Sequence, residues 1–204
     1  MIVILDMGNV GSIANMLKKI GERAVISNDD AVIRDADRMI LPGVGAFDRG
    51  MERLAEAGLA DAVRRHAVDR GRPLLGICLG MQLLGLDSEE GVLPGLGLIP
   101  FHTRRFRIDE SATGLKVPHM GWDRVSFARP ESPLLYGLSE PQRYYFVHSY
   151  HAVCDDPGHV LLRCDYGYPF TAAVNRDNIY GVQFHPEKSH QFGMALLRNF
   201  AGRC

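Results

Sequence analysis

The stretch Pro73-Leu74-Leu75-Gly76-Ile77-Cys78-Leu79-Gly80-Met81-Gln82-Leu83-Leu84 constrains this chain more than any other. A short apolar run, Leu74 to Ile77, follows Arg72-Pro73 and ends at a cysteine set between glycines, which reads as a buried strand covered on both faces. Gly76 and Gly80 lack a Cβ, so the backbone around Cys78 is free to turn sharply from strand into helix. A thiol at such a turn meets the unpaired N–H groups of a helix N-terminus, which favour thiolate and can hold a developing oxyanion. The plainer alternative is a buried cysteine that only fills core, as free cysteines commonly do. A base and an orienting carboxylate elsewhere in the chain are needed to decide.

The residues before the elbow supply its frame. Ile2 to Leu5 is another buried strand, and Asp6-Met7-Gly8-Asn9-Val10-Gly11-Ser12 turns it into a helix carrying Ile13, Leu17 and Ile20 before Gly21 stops it. Ala24 to Ile26 and Arg38 to Leu41 read as strands, with a short helix in the polar segment between them. Met51, Leu54, Leu59, Val63 and Ala67 suit one interrupted or two short amphipathic helices. Strand and helix in alternation argue for a parallel sheet. Pro42-Gly43-Val44-Gly45-Ala46-Phe47 follows a strand directly, where such sheets bind ligands beyond the carboxyl ends of their strands. An ordinary glycine-containing loop fits that segment as well.

After the elbow helix the pattern changes. Pro94-Gly95-Leu96-Gly97 opens a region in which Leu98 to Ile108, Leu115 to Pro118 and Val125 to Phe127 read as strands of an antiparallel insertion or second sheet layer. Arg104, Arg105 and Arg107 mark a charged strand edge within it. Pro118-His119-Met120-Gly121-Trp122-Asp123 cannot be a regular helix and holds the only tryptophan, a residue type used both in cores and at interfaces. Arg143 to His151 reads as a strand ending in polar groups, of the kind that line a pocket. Val160 to Cys164, Thr171 to Val174 and Ile179 to Phe184 follow as strands, with a turn over Asn175 to Asn178 and a closing helix from Phe192 to Ala201.

At 204 residues the chain suits a single domain spanning 1–204, since a chain of that size buries roughly 70% of its extended surface. With 23 basic and 24 acidic side chains, it carries no strong field for nucleic acid or an anionic membrane. The four cysteines lack the short paired spacing of a zinc site or disulfide framework, and reduced thiols in a cytosol are the simplest reading. No apolar run approaches the about 20 residues of a membrane span. The expectation is a soluble, cytoplasmic protein without a leader.

Gly181-Val182-Gln183-Phe184-His185-Pro186-Glu187 completes the chemistry. In an extended segment residues i and i+2 share a side, so His185 can offer one ring nitrogen to a thiol while Glu187 accepts from the other.

Gly76-Ile77-Cys78-Leu79-Gly80-Met81-Gln82, the Pro42 to Gly45 loop and the His185 segment, in this order, resemble the class I, triad-type glutamine amidotransferases. Pro118 to Trp122, Tyr145 to Tyr150 and Pro186 to Ser189 narrow the resemblance to the glutaminase subunits of imidazole glycerol phosphate synthases, over essentially the whole chain. It implies an α/β, flavodoxin-like sandwich whose central, mostly parallel sheet is flanked by helices and carries an antiparallel insertion. It also implies hydrolysis of L-glutamine by Cys78, His185 and Glu187 through a thioester. Val44 and Leu79 would form the oxyanion hole, and Gly43, Gly45, Gln82, Ser149 and Tyr150 would hold substrate. Pro118, His119, Met120 and Trp122 would pack on a barrel-shaped synthase subunit that takes the ammonia, and no metal or organic cofactor is required.

The chain departs from the pattern in a shortened turn at Asp6 to Ser12 and in Trp122-Asp123, where Trp-Asn is usual. Its tail after Glu187 also resembles paralogous subunits that supply ammonia for amidating bacterial surface sugars. A regulatory or assembly subunit and a cysteine peptidase or other thiol hydrolase are the remaining alternatives. Gln82 and the carboxylate two residues after His185 favour glutamine.

Overall fold

The computed structural model describes residues 1–204. Strand and helix alternate through β1 (Ile2–Ile4), α1 (Val10–Lys19), β2 (Ala24–Ile26), α2 (Asp30–Arg34), β3 (Arg38–Gly43), α3 (Phe47–Glu56), α4 (Leu59–Arg64), β4 (Leu74–Cys78) and α5 (Leu79–Leu83). Strands then dominate: β5 (Asp87–Ser88), β6 (Phe101–Arg105), β7 (His119–Phe127), β8 (Gln142–His148), β9 (Tyr150–Cys154), β10 (Val160–Asp165), β11 (Pro169–Arg176) and β12 (Ile179–Val182). The short α6 (Glu110–Thr113) interrupts them and α7 (His190–Gly202) closes the chain.

All strands join one 12-stranded sheet whose main path runs β2-β1-β3-β4-β12-β11-β10-β7-β8, with β5, β6 and β9 branching from β11. Pairing is parallel from β2 through β12 and antiparallel from β12 onward. The sheet is therefore mixed, and the antiparallel part is larger than an insertion.

Alternate strand residues face opposite sides, and this divides the core in two. Ile2, Ile4, Ile40, Leu75 and Ile77 point to a face covered by Ile13 and Leu17 of α1 and by Leu196, Leu197 and Phe200 of α7. Val3, Leu5, Met39, Leu41 and Leu74 point to the other, covered by Phe47, Leu54, Leu59, Val63 and Leu83 of α3, α4 and α5. The result is a helix–sheet–helix sandwich. Gly58, at φ 63°, breaks the amphipathic stretch between α3 and α4, which resolves it as two helices.

Several strand expectations change: the strand expected over Leu98 to Ile108 is confined to β6, and the one over Arg143 to His151 breaks at Ser149 into β8 and β9. Leu115–Pro118 forms no strand, and the strand expected at Val125–Phe127 starts earlier, as the nine-residue β7 that takes in His119 to Asp123. Its partner β8 pairs with it residue for residue from His119↔His148 to Val125↔Gln142, and this ladder carries the strand through Gly121.

Candidate active site

Cys78 ends β4 at φ 55° and ψ −112°, a backbone conformation that L side chains rarely adopt. The surrounding glycines make it possible. A Cβ on Gly80 would lie 1.8 Å from the Leu41 carbonyl oxygen, and one on Gly76 would lie 2.7 Å from the Gly80 oxygen. Helix α5 is thus packed backbone to backbone against β3 and β4, with Cys78 at the corner and 9% exposed.

Gly43 stands opposite Cys78 in the β3–β4 register, so the loop that follows it passes beside the sulfur. Gly45, at φ +98°, uses the glycine-favoring region to turn that loop, and Val44 remains half exposed. A cleft of about 280 Å³ opens there, lined by Val44, Gly45, Cys78, Leu79, Gln82 and Tyr150, together with Ser149 and His185 on its walls.

His185 arrives from the adjacent β12. Its Nδ1 lies 2.7 Å from Glu187 Oε1, and the two side chains are 4% and 1% exposed. Burial pulls the His185 pKa down, but hydrogen bonds to Cys78 and Glu187 and the charges of both outweigh it and raise it to about 9. Glu187 fixes the tautomer, so His185 Nε2 is the nitrogen available to the sulfur. Ser189 locks the segment, donating to the His185 carbonyl at 2.7 Å and accepting from Tyr145 N–H at 3.0 Å.

The structure brings Cys78, His185, Glu187, Val44, Leu79, Gly43, Gly45, Gln82, Ser149 and Tyr150 to one place. Pro118, Met120 and Trp122 lie on the surface, Met120 at 61% and Trp122 at 38% exposure. His119, expected with them on the docking face, is instead 2% exposed. Strand parity explains the correction: neighbouring residues of β7 face opposite sides, and His119 stacks between Phe146 and Tyr166.

Sequence reasoning missed four further groups. Gln183 donates to Cys78 Sγ at 3.8 Å and accepts from Gln82 Nε2 at 3.0 Å. Asn9 Nδ2 donates to Glu187 Oε1 at 2.7 Å. His148 lines the cleft, and burial, aided by neighbouring histidines, pushes its pKa down to about 3. Glu90 places a carboxylate on the cleft and accepts from Phe47 N–H at 2.9 Å, tying the glycine loop to it. A nucleophile, a fixed base and a carboxylate able to meet an ammonium group are the parts needed to hydrolyse the side-chain amide of an amino acid.

The family model for glutamine amidotransferase class-I matches residues 3–204. The chain belongs to the class-I glutamine amidotransferases. Within this family it is 52% identical, over 98% of both chains, to the imidazole glycerol phosphate synthase subunit HisH 2 of Pseudomonas aeruginosa. It is 50% identical to the imidazole glycerol phosphate synthase subunit HisH of Sulfurimonas denitrificans, over 98% of this chain and 97% of that one. The amidotransferase fold also superposes on the structure of PurLQS from Thermotoga maritima with a TM-score of 0.73, at 19% identity, over 98% of this chain and 96% of that one. No helix is long and apolar enough to cross a membrane.

Proposed function

We propose that this chain is the glutaminase subunit of an imidazole glycerol phosphate synthase, releasing ammonia from L-glutamine for a barrel-shaped synthase subunit in histidine biosynthesis. The Cys78 sulfur attacks the side-chain amide carbon, and the Val44 and Leu79 N–H groups receive the developing oxyanion. Gly43 and Gly45 shape the loop that carries Val44. His185 delivers its proton to the departing nitrogen, leaving a thioester and ammonia. It then takes a proton from water, whose oxygen attacks the thioester to give glutamate and restore the thiol. Gln82, Ser149 and Tyr150 hold the substrate, and Glu90 meets its α-ammonium group.

The observation that carries this reading is the Cys78–His185–Glu187 line at the base of a cleft sized for a free amino acid. Pro118, Met120 and Trp122 are the surface offered to the synthase. The loop built on Gly43 and Gly45 has the freedom to form the oxyanion site on docking, so the subunit alone is slow and the partner accelerates it.

The test is conversion of labelled glutamine to glutamate in the presence of the cognate synthase. Cys78→Ser is expected to reduce turnover about 10³-fold or more, and unchanged turnover would sink the mechanism. The tail from Glu187 to Met194, which also resembles subunits serving surface-sugar amidation, keeps that amidation as the second reading of where the ammonia goes. Rescue of a histidine auxotroph lacking its own subunit supports the first reading; failure with the cognate synthase correctly expressed favours the second.

A further inference from the structure

Strands β7 and β8 set His119 directly against His148, and the rings are 2% and 6% exposed. His148 Nδ1 lies 2.8 Å from the Tyr150 carbonyl oxygen. A carbonyl only accepts, so this nitrogen carries the hydrogen and His148 Nε2 presents a lone pair. His119 Nδ1, 3.3 Å from that lone pair, must then donate to it. His119 Nε2 in turn faces Asp123 Oδ2 at 3.3 Å, and a carboxylate also only accepts.

A neutral imidazole has one N–H. The row from Asp123 through His119 and His148 to Tyr150 therefore closes only with one proton more than two neutral rings and a carboxylate supply. Without it, a neutral His119 that keeps its one N–H toward the carboxylate turns its Nδ1 lone pair against that of His148 Nε2. His119, in ion-pair contact with the carboxylate, is the ring suited to hold it, whereas no carboxylate contacts His148.

The surroundings keep the row in place and offer no other partner. Phe146 and Tyr166 stack on His119 at 4.8 and 3.9 Å, and Phe106 packs against both rings. The other titratable neighbours are His151, bonded to the Ala152 carbonyl and the Tyr168 hydroxyl, His185 on the cleft side of His148, Cys164, whose thiol feels the Asp123 charge, and Tyr166, whose hydroxyl donates to the Lys116 carbonyl. At its inner end the row holds the Tyr150 carbonyl, which also accepts from Gln82 Nε2 at 3.3 Å. Tyr150 and Gln82 both line the cleft. At its outer end Asp123 is 37% exposed, on the strand that carries Met120 and Trp122.

We propose that Asp123, His119 and His148 are positioning residues for the glutamine site, linked in a row that fixes the Ser149-Tyr150 wall only while it holds its extra proton. The kinetic consequence rests on the glutaminase reading; the protonation of the row does not. Burial lowers the His119 pKa and the Asp123 charge opposes that. The proton is therefore lost as pH rises through a value below the ordinary 6.5 of histidine, and the wall loosens above it.

The decisive variant is Asp123→Asn. An amide donates a hydrogen to the bare Nε2 of neutral His119, so the row closes without the extra proton. In the full chain with its synthase, KM for glutamine is expected to rise about 3- to 10-fold from pH 5 to 7.5, and Asp123→Asn is expected to flatten that rise with little change in kcat. The same KM profile in both proteins would overturn the proposal. A second readout needs no turnover: ¹⁵N shifts of the His119 ring should show both nitrogens protonated at pH 5 and one at pH 8, with that transition displaced to lower pH in Asp123→Asn. A His119 ring singly protonated across this range in the unsubstituted chain would also overturn it. Absence of glutamine hydrolysis would count against the glutaminase reading and leave the ring titration to judge the row.

Discussion

The elbow at Cys78 is held by backbone packed on backbone, whereas His185 and Glu187, a few ångströms away, are held by side-chain hydrogen bonds. At the elbow Gly80 lies flush against Leu41 and Gly76 against Gly80, and no side chain caps α5. Around His185, Glu187, Ser189 and Asn9 each supply a bond of 2.7 Å to the ring, the backbone or the carboxylate. The two means fail differently. Added volume breaks the first, while a lost donor or charge breaks the second. A nucleophile in a strained backbone needs walls that cannot move, and a base that changes protonation needs partners that respond to charge.

The largest effect comes from breaking the first arrangement. Gly80→Ala places a methyl 1.8 Å from the Leu41 oxygen, with backbone on both sides and no flexible side chain to yield. It is expected to destabilise the chain by about 3 kcal/mol or more, read from urea denaturation. A loss below about 1 kcal/mol would mean that α5 shifts freely and that backbone contact does not set the elbow.

Glu187→Gln probes the second arrangement with volume held nearly constant. The His185 pKa is raised in the fold to about 9, above an unfolded value of about 6.5. Between those values the folded chain holds a proton that the unfolded chain has released, so each step up in pH favours unfolding. The stability that this group contributes is fully present below about pH 6.5 and is lost as pH rises through about 9. Removing the carboxylate charge lowers the folded pKa, so the fall in stability from pH 6.5 to 9 should shrink by on the order of 1 kcal/mol. Equal slopes in the two proteins would show that Glu187 does not support the imidazolium.

The same contrast explains what the sequence disclosed. Backbone-built features leave local marks: Gly76, Cys78 and Gly80 fall within five residues, and the apolar runs of β1, β3 and β4 announce a buried parallel sheet. His185 and Glu187 were readable for the same reason, being two residues apart. Side-chain contacts between distant segments leave no such mark. Asn9 reaches Glu187 across 178 positions, and Gln183 bonds Cys78 across 105. Glu90 follows Asp87-Ser88-Glu89 and looks like any acidic turn. His119 falls on the buried side because a single strand, β7, alternates buried and exposed residues through a segment whose sequence excluded only a regular helix.

The smallest effect separates two uses of Asn9. This residue precedes α1 at φ 55°, in the left-handed region that asparagine and aspartate tolerate better than alanine. Asparagine and aspartate are also comparable helix caps, yet the Asn9 side chain makes no cap bond and reaches Glu187 instead. If Asn9 served only the turn, Asn9→Asp would behave like the unsubstituted chain and Asn9→Ala would be worse in every measure. With the amide holding the Glu187 carboxylate, the orders diverge. Asn9→Ala loses about 1 kcal/mol of stability through backbone strain and about 3- to 10-fold in kcat through one missing hydrogen bond, with KM unchanged. Asn9→Asp keeps the stability but sets a second carboxylate against Glu187, disturbing its contact with His185, so its kcat falls below that of Asn9→Ala. Denaturation midpoints and kcat measured on the same three proteins decide it: parallel rankings reduce Asn9 to a turn residue, and crossed rankings make it a positioning residue of the His185–Glu187 pair.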